Sequence, residues 1–403
     1  MGSTISPPPS GSTELYLTHP TEEEKKQIWA STHPLWGTAL SREVYVKREA
    51  YLQTIPVAKT GGMSNWVLTT SPTPSENRLV LSSCESLRKR AFVSTTKEDG
   101  TVELKESTAH GIASVFNDPA FRGRGYASRM MKDLALALSN HKGSPNPNGP
   151  SSPTSSKRSS YEGPESICSI LYSDIGKSFY SKHGWKPFPS EHVSFRPSTA
   201  YVDTSNEAKP LSYHDLAILS AADEEMLRKR LSSPSGSRKK TRIAIVPDLD
   251  SMLWHLMRED YMTTQLFSRV PTVRGAMVGL QEAGNRVWAI WTRNYYSPDR
   301  KDMHKNTFYI LRFVVEDETM PGDQLVDATR KIVNMAKKEA AEWHLGEVQM
   351  WNPAPVVRRA IEGTKMECSW TDREDDSIAS LNWYGSGDAE DVEWVANEKF
   401  AWC

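Results

Sequence analysis

The stretch VFNDPAFRGRGYASRMM, residues 115–131, decides the reading of this chain: an apolar segment runs into an Arg/Gly turn and then into residues spaced as an amphipathic helix. Gly123 and Gly125 are free to take backbone angles that side chains forbid, and without Cβ atoms their amides approach an anion closely. A helix beginning near Tyr126 adds unpaired N-terminal N–H groups and the positive end of its dipole. Arg122 and Arg124 bring mobile positive charge to the same turn. The whole reads as a pyrophosphate cradle. Upstream, GIASVF (111–116) reads as a short buried strand; downstream, Met130, Met131, Leu134 and Leu138 recur at helical spacing as core residues.

A second informative stretch, SICSILYSDIGKSFYSKHGWKPF, spans residues 166–188. Ile167, Ile170, Leu171 and Tyr172 predict a strand, residues 176–183 a short helix, and Gly184 its left-handed cap. The order RGRGYA (122–127) resembles the acetyl-CoA signature of the GCN5-related N-acetyltransferases (GNAT): Gln or Arg, two residues, Gly, one residue, Gly or Ala. Arg122, Gly125 and Ala127 fill those slots. The second stretch resembles the strand, helix and FY…GW ending of the same family, here Phe179, Tyr180, Gly184 and Trp185. Over its whole length, including the terminal WVANEKFAWC (394–403), the chain resembles the fungal lysine N6-acetyltransferases of lysine catabolism.

The resemblance implies an α/β (α+β) GNAT fold, a mixed central sheet flanked by helices, followed by a degenerate second GNAT-like domain. It implies transfer of acetyl from acetyl-CoA to the side-chain amine of free L-lysine, with no metal. It also implies that the strand at Val115 and Phe116 lines the pantetheine arm, that Arg122, Gly123, Arg124, Gly125, Tyr126 and Ala127 hold the pyrophosphate, and that Tyr180 is the general acid. A phenol with an ordinary pKa of about 10 can protonate a leaving thiolate. A base is harder to name: His110, Asp174 and His183 lie in or beside the right elements, yet each reads more readily as a surface or capping residue. Where many relatives carry an asparagine near the start of the Tyr180 helix, this chain has Asp174, Ile175, Gly176 and Lys177. The cradle specifies the donor and not the acceptor, so another small amine, a polyamine or a protein lysine stands as an alternative acceptor, and a non-catalytic acetyl-CoA-binding adaptor as an alternative class.

At 403 residues the chain is long enough for two or three domains. A net charge of −1 gives no reason to expect nucleic acid or an anionic membrane as partner. Four cysteines without ligand spacing point away from zinc and from a disulfide framework, which fits a reducing, cytoplasmic setting. Neither a signal-like apolar region nor a membrane-length apolar run is present. MGSTIS matches a myristoylation pattern without a polybasic second signal, and SRKKTR (237–242) reads as a solvated loop before it reads as a nuclear address.

Along the chain, residues 1–12 read as a disordered arm, 13–200 as the acetyl-CoA-binding domain with a disordered Ser/Pro-rich insertion at 143–164, and 201–403 as the GNAT-like domain lacking the loop. ELYLT predicts a strand, Thr21 followed by three glutamates a helix start, and residues 41–54 a second helix. MSNWVLTT, RLVLSS and RKRAFVSTT predict three strands of a meander. In the second half, helices are expected over 215–231, 250–267 and 327–343, with strands at GAMVGL, RVWAIWTR, NTFYILRFVVE and EVQMWNP. EDETMPGDQ (316–324) stands where a second cradle would be; its acidic residues would repel a pyrophosphate. Trp288, Trp291, Tyr295 and Tyr296 are expected to pack the interior, with a cleft wall as the alternative.

Overall fold

A computed structural model describes residues 6–59, 61–75, 78–140, 165–199, 208–234, 236, 241–279, 284–297 and 300–403. In chain order its first half runs β1 (Tyr16–Thr18), α1 (Glu22–Trp36), α2 (Arg42–Leu52), β2 (Met63–Thr69), β3 (Val80–Thr96), β4 (Val102–Asn117), α3 (Tyr126–Ser139), β5 (Ser166–Ser173), α4 (Ser178–Ser181), β6 (Lys186–Pro187) and β7 (Glu191–Phe195). The second half runs β8 (Lys209–Leu211), α5 (Tyr213–Ser232), β9 (Thr241–Ile245), α6 (Leu249–Phe267), β10 (Gly275–Val278), β11 (Val287–Asn294), β12 (Thr307–Val315), α7 (Gly322–Glu342), β13 (Glu347–Trp351), α8 (Pro355–Thr364), β14 (Ser369–Asp372), β15 (Ile378–Trp383) and β16 (Val392–Trp394).

Caps set the helix starts. The Glu24 amide donates to Thr21 Oγ1 at 3.1 Å and the Thr21 amide donates back to the Glu24 carboxylate at 2.7 Å, which opens α1. Ser212 and Asp215 do the same for α5, and Asp248 caps α6 through the Ser251 amide at 2.9 Å.

Two mixed sheets flanked by helices make an α/β molecule. The first has the order β1-β2-β3-β4-β5-β15-β6, with β9 on the far half of β3 and β16 on β9; the second has the order β14-β7-β13-β12-β11-β10-β8. Each contains a parallel step closed by a helix, β4 to β5 through α3 and β12 to β13 through α7, because parallel neighbours need a long crossover. The halves also trade strands. β7 follows β5 and α4 in the chain yet pairs with β13 in the second sheet, whereas β15 follows β13 and α8 yet pairs with β5 in the first. β9 likewise adds to β3.

The cores follow from this weave. Met130, Met131, Leu134 and Leu138 of α3 pack one face of the first sheet. The other face shares a core with the second sheet, joining Ala91, Ile170, Ile243, Ala379 and Leu381 to Trp288, Ile290 and Leu311. α7 and α8 cover the second sheet's outer face.

Three sequence expectations need amending. The two predicted strands RLVLSS and RKRAFVSTT are one, β3, because the intervening Cys84, Glu85, Ser86 and Leu87, two of them polar, are buried in the sheet and pair on across it. Residues 6–12, read as a disordered arm, lie along α3: Tyr126 donates to the Pro8 carbonyl at 2.7 Å, and Arg129 to the Ser10 and Ser12 carbonyls at 3.0 and 2.9 Å. Helix α7 starts at Gly322 rather than near Asp327, with Glu316 turned back to bind Arg286 at 2.8 Å. The Ser/Pro-rich segment 143–164 lies outside the described residues. Among the described residues, no helix is long and apolar enough to cross a membrane.

Candidate active site

Strands β3 and β4 lose register where Ser83 faces Phe116 and Glu85 faces Ala113, so that Ser114 and Val115 together oppose Cys84. This is a bulge on β4, and Ser114 takes a left-handed backbone angle there, φ +53°. On the other side, pairing with β5 ends at Ile112 and Leu171. Beyond that point β4 runs on to Asn117 against β3 alone, leaving an edge of backbone N–H and C=O groups facing a wedge between β4 and β5.

The Arg/Gly turn follows directly. Gly123 and Gly125 both have positive φ, +77° and +82°. Gly125 is the N-cap of α3 and lends no side chain to its orphan amides. Among the described residues, none of the amides of 123–125 meets an acceptor. Arg122 and Arg124 are exposed and pair with no carboxylate among the described residues; Arg122 donates to the Asn117 carbonyl at 3.2 Å. A Cβ on Gly123 would meet nothing, whereas one on Gly125 would stand 2.8 Å from Ser10 Oγ of the N-terminal arm. Uncapped amides at a helix N-terminus, two guanidiniums without a carboxylate partner among the described residues and an open strand edge fit a pyrophosphate carried by an extended arm.

A cavity of about 390 Å3 opens at the wedge and is lined by the β4 bulge, Tyr180, Glu85, Glu49, Arg48 and Arg258. Tyr180, on the short helix α4, is 8% exposed and its hydroxyl makes no hydrogen bond among the described residues; burial, then the nearby Asp174, push its phenol well up. Glu85 on β3 accepts from Asn65 Nδ2 at 3.1 Å, and Asn65 is oriented by Gln53 Nε2 at 2.8 Å. Burial and the like charge of Glu49 raise the Glu85 carboxyl to about 7, against the lowering pull of hydrogen bonds from Ser114 and Trp29. Glu49 itself is bound by Arg48 Nε at 2.9 Å. A recess of about 20 Å3, room for one water, adjoins Glu85 and Glu49.

Of the residues singled out in the sequence, the structure brings Val115 and Tyr180 to this cavity; Phe116 faces a neighbouring cleft lined also by Phe121, and Arg122 to Ala127 form the turn beyond. Tyr126 is buried in the α3 core, with its hydroxyl held by Pro8. Of the three candidate bases only Asp174 reaches the cavity, at an exposed position where it accepts from the Ser377 amide at 2.9 Å. His110 is buried in β4 outside it, and His183 packs on Phe179. Trp288, Trp291 and Tyr295 are interior, while Tyr296 lines the cavity. The sequence reading missed Glu85, Glu49 and Arg258. The available signal was an acidic residue, Glu85, in an otherwise buried strand, where an ionisable group needs a reason.

A curated protein of Yarrowia lipolytica named lysine acetyltransferase is 23% identical to this chain over 420 residues, 94% of this chain and 98% of its own length. Among solved structures, a GCN5-related N-acetyltransferase from Anabaena variabilis superposes with a TM-score of 0.49 at 12% identity, covering 92% of this chain and 73% of that one. A probable N-acyltransferase from Enterococcus faecalis superposes with a TM-score of 0.48 at 12% identity, covering 91% and 71%. A family model described as the LYC1 GNAT-like C-terminal domain matches residues 192–403, from within β7, the strand that crosses into the second sheet, to the last residue. The chain therefore belongs to the GNAT_LYC1-like family of acetyltransferases.

Proposed function

We propose that this protein transfers the acetyl group of acetyl-CoA to the side-chain amine of free L-lysine, giving N6-acetyl-L-lysine. The observation that carries the reaction is the cavity that Tyr180 and Glu85 share with the bulge of β4, the strand whose unpaired edge runs on toward the uncapped Arg/Gly turn. The lysine acceptor draws support from the name of the Yarrowia lipolytica relative and from the charged groups of the cavity.

Bound acetyl-CoA supplies a thioester carbonyl carbon open to attack. The amides of 123–127 and Arg122 and Arg124 bind its pyrophosphate, and the β4 edge at Val115 and Phe116 orients its arm toward the wedge. A lysine ammonium, with pKa about 10.4, must first lose a proton. Glu85, held near 7, takes it at neutral pH, with the adjoining water-sized recess as a way out for that proton. The free nitrogen then bonds to the carbonyl carbon. As the C–S bond breaks, Tyr180 gives its phenolic proton to the leaving sulfur, and the proton still on nitrogen restores the phenol. The net change is ammonium plus thioester to amide, thiol and one proton.

The test is release of free CoA from acetyl-CoA by the purified chain with L-lysine, ornithine, spermidine or a lysine peptide supplied separately, and mass analysis of the product. Release with L-lysine and recovery of the N6-acetyl product is the expected result. Release with a different amine alone would replace the acceptor, and acetyl-CoA binding with no release from any amine would overturn the enzymatic reading.

A further inference from the structure

Arg258 sits in the middle of α6, a helix of the second half, and lines the same cavity as Tyr180 and Glu85. Its buried Nε has no hydrogen-bond partner, and among the described residues no carboxylate forms an ion pair with its guanidinium. The Nε atoms of Arg274 and Arg293 are likewise unpartnered, but those guanidiniums are matched in charge, Arg274 by Glu259 and Asp260 and Arg293 by Glu259 and Glu339, as Arg48 is by Glu49. A desolvated cation without a counter-charge is expensive to keep in a fold. Burial, and after it the like charge of Arg48, press against its cationic form. The Trp402 ring, 5.4 Å from its Cζ, offers a π face but no acceptor for the in-plane N–H groups. The partner that a guanidinium fork fits best is a planar, two-oxygen anion.

We propose that Arg258 receives the carboxylate of the acceptor, so that the site selects amines carrying a free carboxylate. This rests on the reading of the cavity as the acceptor site of an N-acetyltransferase. The cavity suits a molecule with an ammonium at one end, a carboxylate at the other and a methylene stem between them, because Glu85 and Arg258 share it with the apolar walls of Leu35, Trp36, Leu52 and Trp254. A polyamine offers no anion to Arg258, and a lysine within a peptide has its carboxyl in an amide bond. A site built around a charged partner discriminates strongly against the analogue that lacks it.

The experiment compares L-lysine with L-lysinamide, which differs only in the carboxylate, on the full chain and on its Arg258→Met and Arg258→Lys variants, at saturating acetyl-CoA. Wild type is expected to favour L-lysine by roughly 10- to 100-fold in kcat/KM. Arg258→Met should raise the KM for L-lysine by about that factor with kcat little changed, and leave the constants for L-lysinamide within about twofold, which also shows that the variant folds. Arg258→Lys, which keeps the charge and loses the fork, should recover part of the L-lysine KM. An unchanged KM for L-lysine in Arg258→Met, or an equal loss with both amines, would overturn the assignment. If wild type releases CoA with neither amine, the lysine-acceptor reading fails on its own, whatever Arg258 does.

Discussion

Burying a carboxylate beside a second carboxylate makes it hold its proton to higher pH, and Glu85 meets both conditions in β3 with Glu49 at hand. If it is the base, kcat/KM for the amine should rise with pH through a midpoint near 7, and Glu85→Gln should lower kcat by about 10²- to 10⁴-fold and remove that limb. An unaltered limb in Glu85→Gln would assign the titration to another group. The same shift acts on stability: the unfolded carboxyl titrates near 4.5 and the folded one near 7, so between these values the folded state holds more protons and stability falls as pH rises. Glu85→Gln escapes that loss, and its melting temperature relative to wild type should be higher at pH 8 than at pH 4.5. The raised phenol of Tyr180 stays protonated across this range, as the proposed role of proton donor requires. Tyr180→Phe should lower kcat by at least about 10²-fold with little change in acetyl-CoA affinity measured by calorimetry; unchanged turnover would remove Tyr180 from the mechanism. Tyr180 could be singled out because it sits in a local FY…GW pattern, and the structure puts it at the cavity; Glu85 could not, since its setting comes from Glu49 on α2, from Asn65 on β2 and from the bulge opposite it on β4.

Between β3 and β4 and again before α3 the backbone turns through left-handed glycines, and the contrast separates strain from binding. Gly100 and Gly123 have φ of +83° and +77°, and a Cβ on either would meet nothing within 4 Å. Replacing either by Ala therefore costs about 1 kcal/mol of backbone strain and little else. Gly123→Ala should in addition raise the KM for acetyl-CoA several-fold, while Gly100→Ala should not; equal KM values in both would mean that the turn does not approach the pyrophosphate. Such turns and the helix caps were legible because both are written in adjacent residues, as in Thr21 with Glu24 or Ser212 with Asp215. Elements fixed by distant partners were not. β9 and β15 are short runs, TRIAI and IASLNW, whose partners β3 and β5 lie far away in the chain. Glu316 reads locally as repulsion of a phosphate, but in the fold it is a buried half of an ion pair with Arg286. On α6, adjacent residues serve two ends: Arg258 opens on the cavity, while Glu259 neutralises Arg274 and Arg293 behind it. Glu259→Ala would leave two buried guanidiniums short of charge, and a loss of about 3 to 5 kcal/mol should appear in denaturant unfolding; a loss below 1 kcal/mol would mean that Asp260 and Glu339 suffice.

Reciprocal strand exchange makes the two halves one folding unit. Without the second half, β5 would lose its antiparallel partner β15, whose Ile378, Ala379 and Leu381 are fully buried, and β3 would lose β9. Without the first, β13 and β14 would both lose β7. Each separated half would thus expose a sheet edge and one wall of the core that joins Ile170, Ile243 and Leu381 to Trp288 and Leu311. The cavity is divided in the same way, with Tyr180 and Glu85 from one half and Trp254, Arg258 and Trp402 from the other. Residues 1–200 and 201–403 expressed separately should accordingly aggregate or melt without a cooperative transition, whereas co-expressed they should associate and recover amine-dependent CoA release. A cooperative melt of residues 1–200 alone, with acetyl-CoA raising its midpoint, would show instead that the donor site is complete without β15 and that the exchange serves only the acceptor side.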